Sequence, residues 1–134
     1  MKSKQSLDEI ALRLTGKEQA VEDRLLEETM DFSIRVLSFV GEISGHASLK
    51  NQLERSATSI GANVREAKYG HSRADFVSKM QIALKECYEA EYWLELFQRA
   101  GLASFESTKG LKHRCGSIRK ILIASINTAK KKKS

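Results

Sequence analysis

Apolar residues recur at steps of three and four along this chain, a spacing typical of helices with one buried stripe. The longest run extends from Phe76 to Phe97, over Met80, Ala83, Cys87, Ala90 and Leu94. No proline occurs among the 134 residues, so no residue forces a long helix to end. The pattern predicts an all-α fold.

Three further stripes of the same spacing bring the number of predicted helices to four. The first covers residues 25–43, the second residues 53–67 and the fourth residues 111–126, with the run from Phe76 to Phe97 as the third. The links between them are short, so each helix must fold back along the one before it. We therefore predict an antiparallel up-down-up-down four-helix bundle.

Polar residues and glycines beside the stripes indicate where the helices begin and end. Ser72 and Ser104 stand where the third and fourth helices need N-caps, and Gly101 follows the third helix. For the second helix, the N-cap is expected within the segment His46-Ala47-Ser48. These positions set the predicted helix boundaries.

The predicted bundle occupies residues 21–129 and has a short segment on either side. We expect residues 1–20 to form a flexible or docking N-terminal arm, because the short apolar pattern there ends at Gly16. Residues 130–134 are expected to form a basic tail. No stretch resembles a signal peptide or approaches twenty apolar residues, so we expect a cytoplasmic protein with no membrane partner.

Positive charge is concentrated towards the C-terminus of the chain. The formal net charge is +6, and no acidic residue follows Glu106. Such a segment attracts a polyanion such as RNA or DNA, although a solvated helix face with a solubilising tail has the same composition. The candidate phosphate contacts are Lys112, Arg114, Arg119, Lys120, Lys130, Lys131, Lys132 and Lys133.

Several apolar residues lie outside the main stripes, on faces that a small bundle does not need to bury. They predict self-association, although isolated exposed apolar side chains are also common on monomers. These residues are Leu26, Val40, Trp93, Ile121 and Ile123.

A polar stripe runs beside the apolar stripe of the second helix, within reach of charges on the third. If the chain turns near His71, Arg55 lies opposite Glu86 or Glu89. The same register puts Asn63 level with a lysine, Lys79. Half-buried charges need partners, so we expect these groups to set the register of the two helices.

The chain shows no residue pattern typical of catalysis or of cofactor binding. It contains no Glu-x-x-His pair of the kind that holds di-iron centres and no glycine-rich phosphate loop. Cys87 and Cys115 lack C-x-x-C spacing, which favours two reduced thiols in the core. We therefore expect no enzymatic activity, no metal and no cofactor.

Residues 55–67, RSATSIGANVREA, resemble the signature of a bacterial four-helix bundle family related to the protein encoded in 23S rRNA intervening sequences. The resemblance continues through residues 75–76, 79–86 and 89–96, and covers roughly residues 22–133. Its motif positions are Arg55, Ser59, Asn63, Glu66, Asp75, Phe76, Lys79, Glu86, Glu89 and Trp93.

This resemblance implies a four-helix bundle that assembles into a ring-like homo-oligomer, a pentamer in known relatives, without enzymatic activity. Similar but distant bundles are accessory proteins of diversity-generating retroelements, where they bind nucleic acid. Ala67 and Glu86 depart from the commoner glycine and serine at these positions. The departures weaken a transfer of function from the rRNA-encoded members.

Two hypotheses for function follow from the sequence. The first is an oligomeric module that associates with RNA or DNA through the basic C-terminal segment, repeated in every copy of a ring. The second is an oligomeric scaffold that presents a surface to an unidentified protein partner, with the lysines serving only solubility.

Overall fold

The computed structural model describes residues 16–132, and these form four α-helices and no strand. They are α1 (Gly16–Gly41), α2 (Ala47–Lys68), α3 (Arg73–Arg99) and α4 (Phe105–Lys131). Each helix packs against the next, and α4 also packs against α1, which closes the bundle. The predicted all-α, four-helix fold is confirmed. No helix in the described part is long and apolar enough to cross a membrane.

The predicted stripes form one continuous core. All six apolar stripe residues of α3 from Met80 to Phe97 are buried. Phe76, the first residue of the stripe, is partly buried and packs against the core. The thiols of Cys87 and Cys115 are reduced and fully buried, and their Sγ atoms lie 3.7 Å apart. The contact with Cys87, together with burial, raises the pKa of the Cys115 thiol. Both thiols therefore act as core side chains between α3 and α4.

All three N-caps lie where the sequence places them, and two of them have a side-chain cap. The Ser72 hydroxyl accepts a hydrogen bond from the Asp75 backbone N–H at 3.1 Å, and Ser104 caps α4 in the same way. At α2 the N-cap is His46, within the predicted segment. It has φ 55° and makes no side-chain cap bond. The tight link takes a left-handed conformation at both Gly45 and His46, so Ser48 already lies inside the helix.

α3 ends in a Schellman motif, as the position of Gly101 predicts. Gly101 has φ 76°, a conformation that glycine adopts without steric cost. Its N–H donates to the Gln98 carbonyl oxygen at 3.1 Å, and the N–H of Leu102 donates to the Phe97 carbonyl oxygen at 2.9 Å. These bonds satisfy the last carbonyl groups of the helix and turn the chain back towards α4.

Both ends of the bundle extend beyond the predicted boundaries. α1 begins at Gly16, so residues 16–20 of the expected arm belong to this helix. α4 continues to Lys131, which moves two residues of the expected tail into the helix. An ion pair between Lys132 and Glu18 joins these two ends, a long-range contact that sequence spacing does not reveal. Residues 1–15 and 133–134 lie outside the described residues.

α1 and α2 approach each other closely at Gly61. A Cβ atom at this position would lie 3.2 Å from Thr29 Oγ1 and 3.3 Å from Thr29 Cβ. Thr29 is buried, and its hydroxyl donates to the Leu25 carbonyl oxygen at 2.7 Å. Glycine at position 61 thus removes the side chain that would separate the two helices.

Because of this close contact, we expect side chains larger than alanine at position 61 to lower the free energy of unfolding. Gly110 is also inside a helix but has open space around it, so Gly110→Ala should stabilise the protein by about 1 kcal/mol through helix propensity. Gly61→Ala should gain less, and Gly61→Leu should destabilise by about 1–3 kcal/mol through overpacking. Urea unfolding of the three variants measures the series. Equal stabilisation by both alanines would contradict the close contact.

Candidate nucleic-acid interface

Ion pairs join α2 to α3 and set the register of the two helices. Arg55 on α2 contacts both of its predicted partners, Glu86 at 3.3 Å and Glu89. The indole N–H of Trp93 donates to the same Glu89 carboxylate at 3.0 Å. The hydrogen bond from Arg55, and then that from Trp93, lower the pKa of Glu89. The motif residues Arg55, Glu89 and Trp93 therefore form one hydrogen-bonded cluster.

A second ion pair lies further along the same two helices. Lys79 contacts Glu66 at 2.9 Å. Asn63 does not pair with Lys79, because its side chain donates to the Ser59 carbonyl oxygen of its own helix at 2.8 Å. The polar motif residues thus stabilise the bundle where α2 meets α3.

Three of the eight candidate phosphate contacts are engaged in ion pairs with other helices. They tie α4 to α1 and α3, so part of their charge is already neutralised within the chain. The pairs are Arg114–Asp31 at 3.1 Å, Arg119–Glu91 at 3.1 Å and Lys132–Glu18. We therefore assign these three residues a structural role, that of holding the helices together.

Four other candidates have no acidic partner within the described residues. Lys112, Lys120, Lys130 and Lys131 form no ion pair or hydrogen bond among the residues that the structure describes, and all but Lys112 are exposed. Lys133 lies outside those residues. Lys120 and Lys131 share one face of α4, because eleven residues make just over three full turns, a rise of about 16 Å.

Lys109 extends this row by another eleven residues in the opposite direction. Its ammonium lies 5.8 Å from the centre of the Phe105 ring, and its side chain is exposed. The row therefore presents an exposed cation at about every third turn of α4.

α3 adds cations that the sequence analysis does not include. Arg73, half-buried on α3, lines an open groove of about 840 Å³ together with Val77 and the exposed Lys130 and Lys131 of α4. Lys85, further along α3, is also exposed, and none of these four cations has an acidic partner in the described part of the chain. We call the exposed surface formed by Arg73, Lys85, Lys109, Lys112, Lys120, Lys130 and Lys131 the basic face.

Charge is divided unequally between the two halves of the bundle. Residues 16–72, which include α1 and α2, carry seven basic and nine acidic side chains, whereas residues 73–132 carry twelve basic and six acidic ones. The sequence analysis does not identify Arg73 and Lys85 as candidates, because α3 alone carries four basic and five acidic residues and shows no excess of positive charge. Only its packing against the acid-free part of α4 reveals that they belong to a larger basic surface.

A separate apolar stripe is exposed on α1. Met30, Ile34 and Leu37 follow steps of four and three, and Ile34 is 58% exposed. The residues chosen from the sequence as self-association contacts are more covered than expected. Val40 is fully part of the core, and the others are partly buried, namely Leu26, Trp93, Ile121 and Ile123. The exposed stripe on α1 replaces them as the candidate contact surface.

Fold and surface together define a small helical-bundle protein with one basic face and a separate exposed apolar stripe. The chain belongs to the 23S rRNA-intervening sequence protein family, whose model matches residues 22–124. A crystal structure of a protein of unknown function from the S23 ribosomal protein family of Bacteroides thetaiotaomicron is similar, with a TM-score of 0.76 and 35% identity. The match covers 80% of this chain and 98% of that one. None of the curated proteins matches the chain.

The division between paired and unpaired cations predicts that replacing a paired cation costs more stability than replacing an unpaired one. Arg119→Ala leaves the partly buried Glu91 without its partner and should lower the free energy of unfolding by about 1 kcal/mol. Lys120→Ala removes no contact and places a better helix former on an exposed face, so its effect should stay within about 0.5 kcal/mol. Thermal unfolding at low salt compares the two. A larger loss for Lys120→Ala would contradict the assignment.

Proposed function

We propose that this protein is a non-enzymatic, homo-oligomeric module that binds the phosphate backbone of RNA or DNA through its basic face. The observation that carries the proposal is the set of exposed cations on α3 and α4 without acidic partners within the described residues. Cations that line the same groove, as Arg73 and Lys130 do, repel each other unless an anion lies between them.

Backbone contacts of this kind release counterions and carry no sequence information. Affinity then depends steeply on salt, and each copy in an oligomer adds its own contacts to the same strand. The row from Lys109 through Lys120 to Lys131 spans about 33 Å, long enough to follow several phosphates. We therefore expect salt-sensitive binding with little discrimination between sequences.

Removing two exposed lysines should weaken this binding in a defined way. The variant Lys120→Ala with Lys131→Ala should lower affinity several-fold and reduce the slope of log K against log salt by about 2. Filter binding of a labelled RNA across a salt series measures both quantities. The matched control, Lys17→Ala with Arg65→Ala, loses the same charge from exposed positions on α1 and α2. Equal losses in both variants would show a net-charge effect rather than a basic face.

The apolar stripe on α1 supports the oligomeric part of the proposal. Exposed side chains in a row at helical spacing, such as Met30, Ile34 and Leu37, are suited to packing against a second copy. The family resemblance predicts a ring of five copies. Assembly would repeat the basic face once in every subunit.

Ile34→Asp should dissociate the assembly to a chain of 15.1 kDa while the bundle stays folded, because this side chain is largely outside the core. Light scattering coupled to size exclusion measures the mass, and circular dichroism verifies helix content. Phe105→Asp is the matched control, since it also replaces an exposed apolar side chain with a carboxylate, at a helix N-terminus that tolerates it. Unchanged mass in Ile34→Asp would exclude the stripe from the contact.

The same stripe also favours a second function, that of a scaffold for another protein. In that case the protein would not bind RNA in a salt-sensitive way, and Ile34→Asp would abolish capture of the partner without changing the mass of the free protein. The mass and binding measurements together separate the two functions.

A further inference from the structure

Two exposed tyrosines lie among the cations of the basic face. Tyr88 and Tyr92 lie four residues apart on α3 and are 52% and 60% exposed. Side chains at this spacing lie on the same side of a helix, one turn apart, with Cβ atoms about 6 Å from each other. The two rings therefore lie on the same side of α3, and we call them the tyrosine pair.

The packing of α3 on α4 places this pair among the lysines. Cys87 and Cys115 meet in the core, which sets the antiparallel register of the two helices. In this register Tyr92 lies level with Gly110, two residues from Lys112, and Tyr88 lies beside Arg119, whose guanidinium carbon is 6.0 Å from the ring centre. Each tyrosine is therefore near a cation of α4.

Each ring contacts one neighbouring side chain, and that side chain is itself held in place by a further contact. Arg119 is oriented by its ion pair with Glu91, across a position where Gly116 leaves room for its side chain. Tyr92 packs edge-on against Trp93, with 5.0 Å between ring centres, and Trp93 is itself hydrogen-bonded to Glu89. Rings with one supported side and one open side lose little conformational freedom when a flat group stacks on them.

We propose that Tyr88 and Tyr92 are stacking platforms for unpaired bases, so that the preferred ligand is single-stranded nucleic acid. This inference rests on the proposed function, since the surrounding lysines hold the phosphate backbone. A base presents its flat face only when it is not enclosed in a duplex, and aromatic side chains in a basic groove recognise it without reading its sequence. Duplex RNA or DNA offers the lysines its phosphates but offers the tyrosines nothing.

The test compares single-stranded and duplex oligonucleotides of equal length by fluorescence anisotropy. In Tyr88→Ala with Tyr92→Ala, affinity for the single strand should fall by about tenfold or more, while affinity for the duplex and the salt slope stay unchanged. Tyr88→Phe with Tyr92→Phe retains both rings and should bind as the unaltered protein does. Tyr69→Ala is the matched control, because Tyr69 is 65% exposed but lies in the link between α2 and α3.

The single tryptophan of the chain gives a second readout at the same place. Stacking of a base on Tyr92 should change the emission of Trp93, and Tyr92→Ala should abolish that change. Equal losses on both oligonucleotides, or a loss of oligomer mass in the tyrosine variant, would overturn the inference. If only the lysine variant loses binding, the proposed function stands without the stacking. If the unaltered protein binds neither oligonucleotide, both proposals fail.

Discussion

Burial of one apolar edge on each of four helices is the constraint on which the rest of this structure depends. The seam between α3 and α4 shows it most clearly, because Cys87, Ala90 and Leu94 are completely buried and face a similar edge of α4. A helix that hides only one edge leaves the remainder of its surface unconstrained by folding. Those free surfaces are where this chain carries unpaired cations, exposed tyrosines and an apolar stripe.

Ion pairs between helices divide the charged residues into two groups with different consequences. Arg55, Arg114 and Arg119 each contact a carboxylate on another helix and stabilise the closed bundle. The unpaired cations are almost all lysines, whose long side chains stay hydrated at little cost. Lysine therefore predominates on the basic face, where Arg73 is the exception, although Lys79 and Lys132 also form ion pairs between helices.

Most of the fold was predictable from local patterns, whereas the candidate site was predictable only in outline. The α3 run, the caps at Ser72 and Ser104 and the turn at Gly101 depend on residues within one or two turns of each other, and all are present. The start of α1 at Gly16 and the left-handed conformation at His46 were not predicted. Neither the apolar spacing nor a capping side chain marks these two features.

The sequence by itself determined the number of helices, their order and the excess of positive charge near the C-terminus, because spacing and composition act locally. Only the tertiary structure decided which cations are free, since the partner of Arg119 lies 28 residues away and that of Arg114 lies 83 residues away. It also decided that Arg73, Lys85 and the two tyrosines join the lysines of α4. A surface assembled from two helices is set by how their buried edges meet, and that register is a property of packing rather than of either segment.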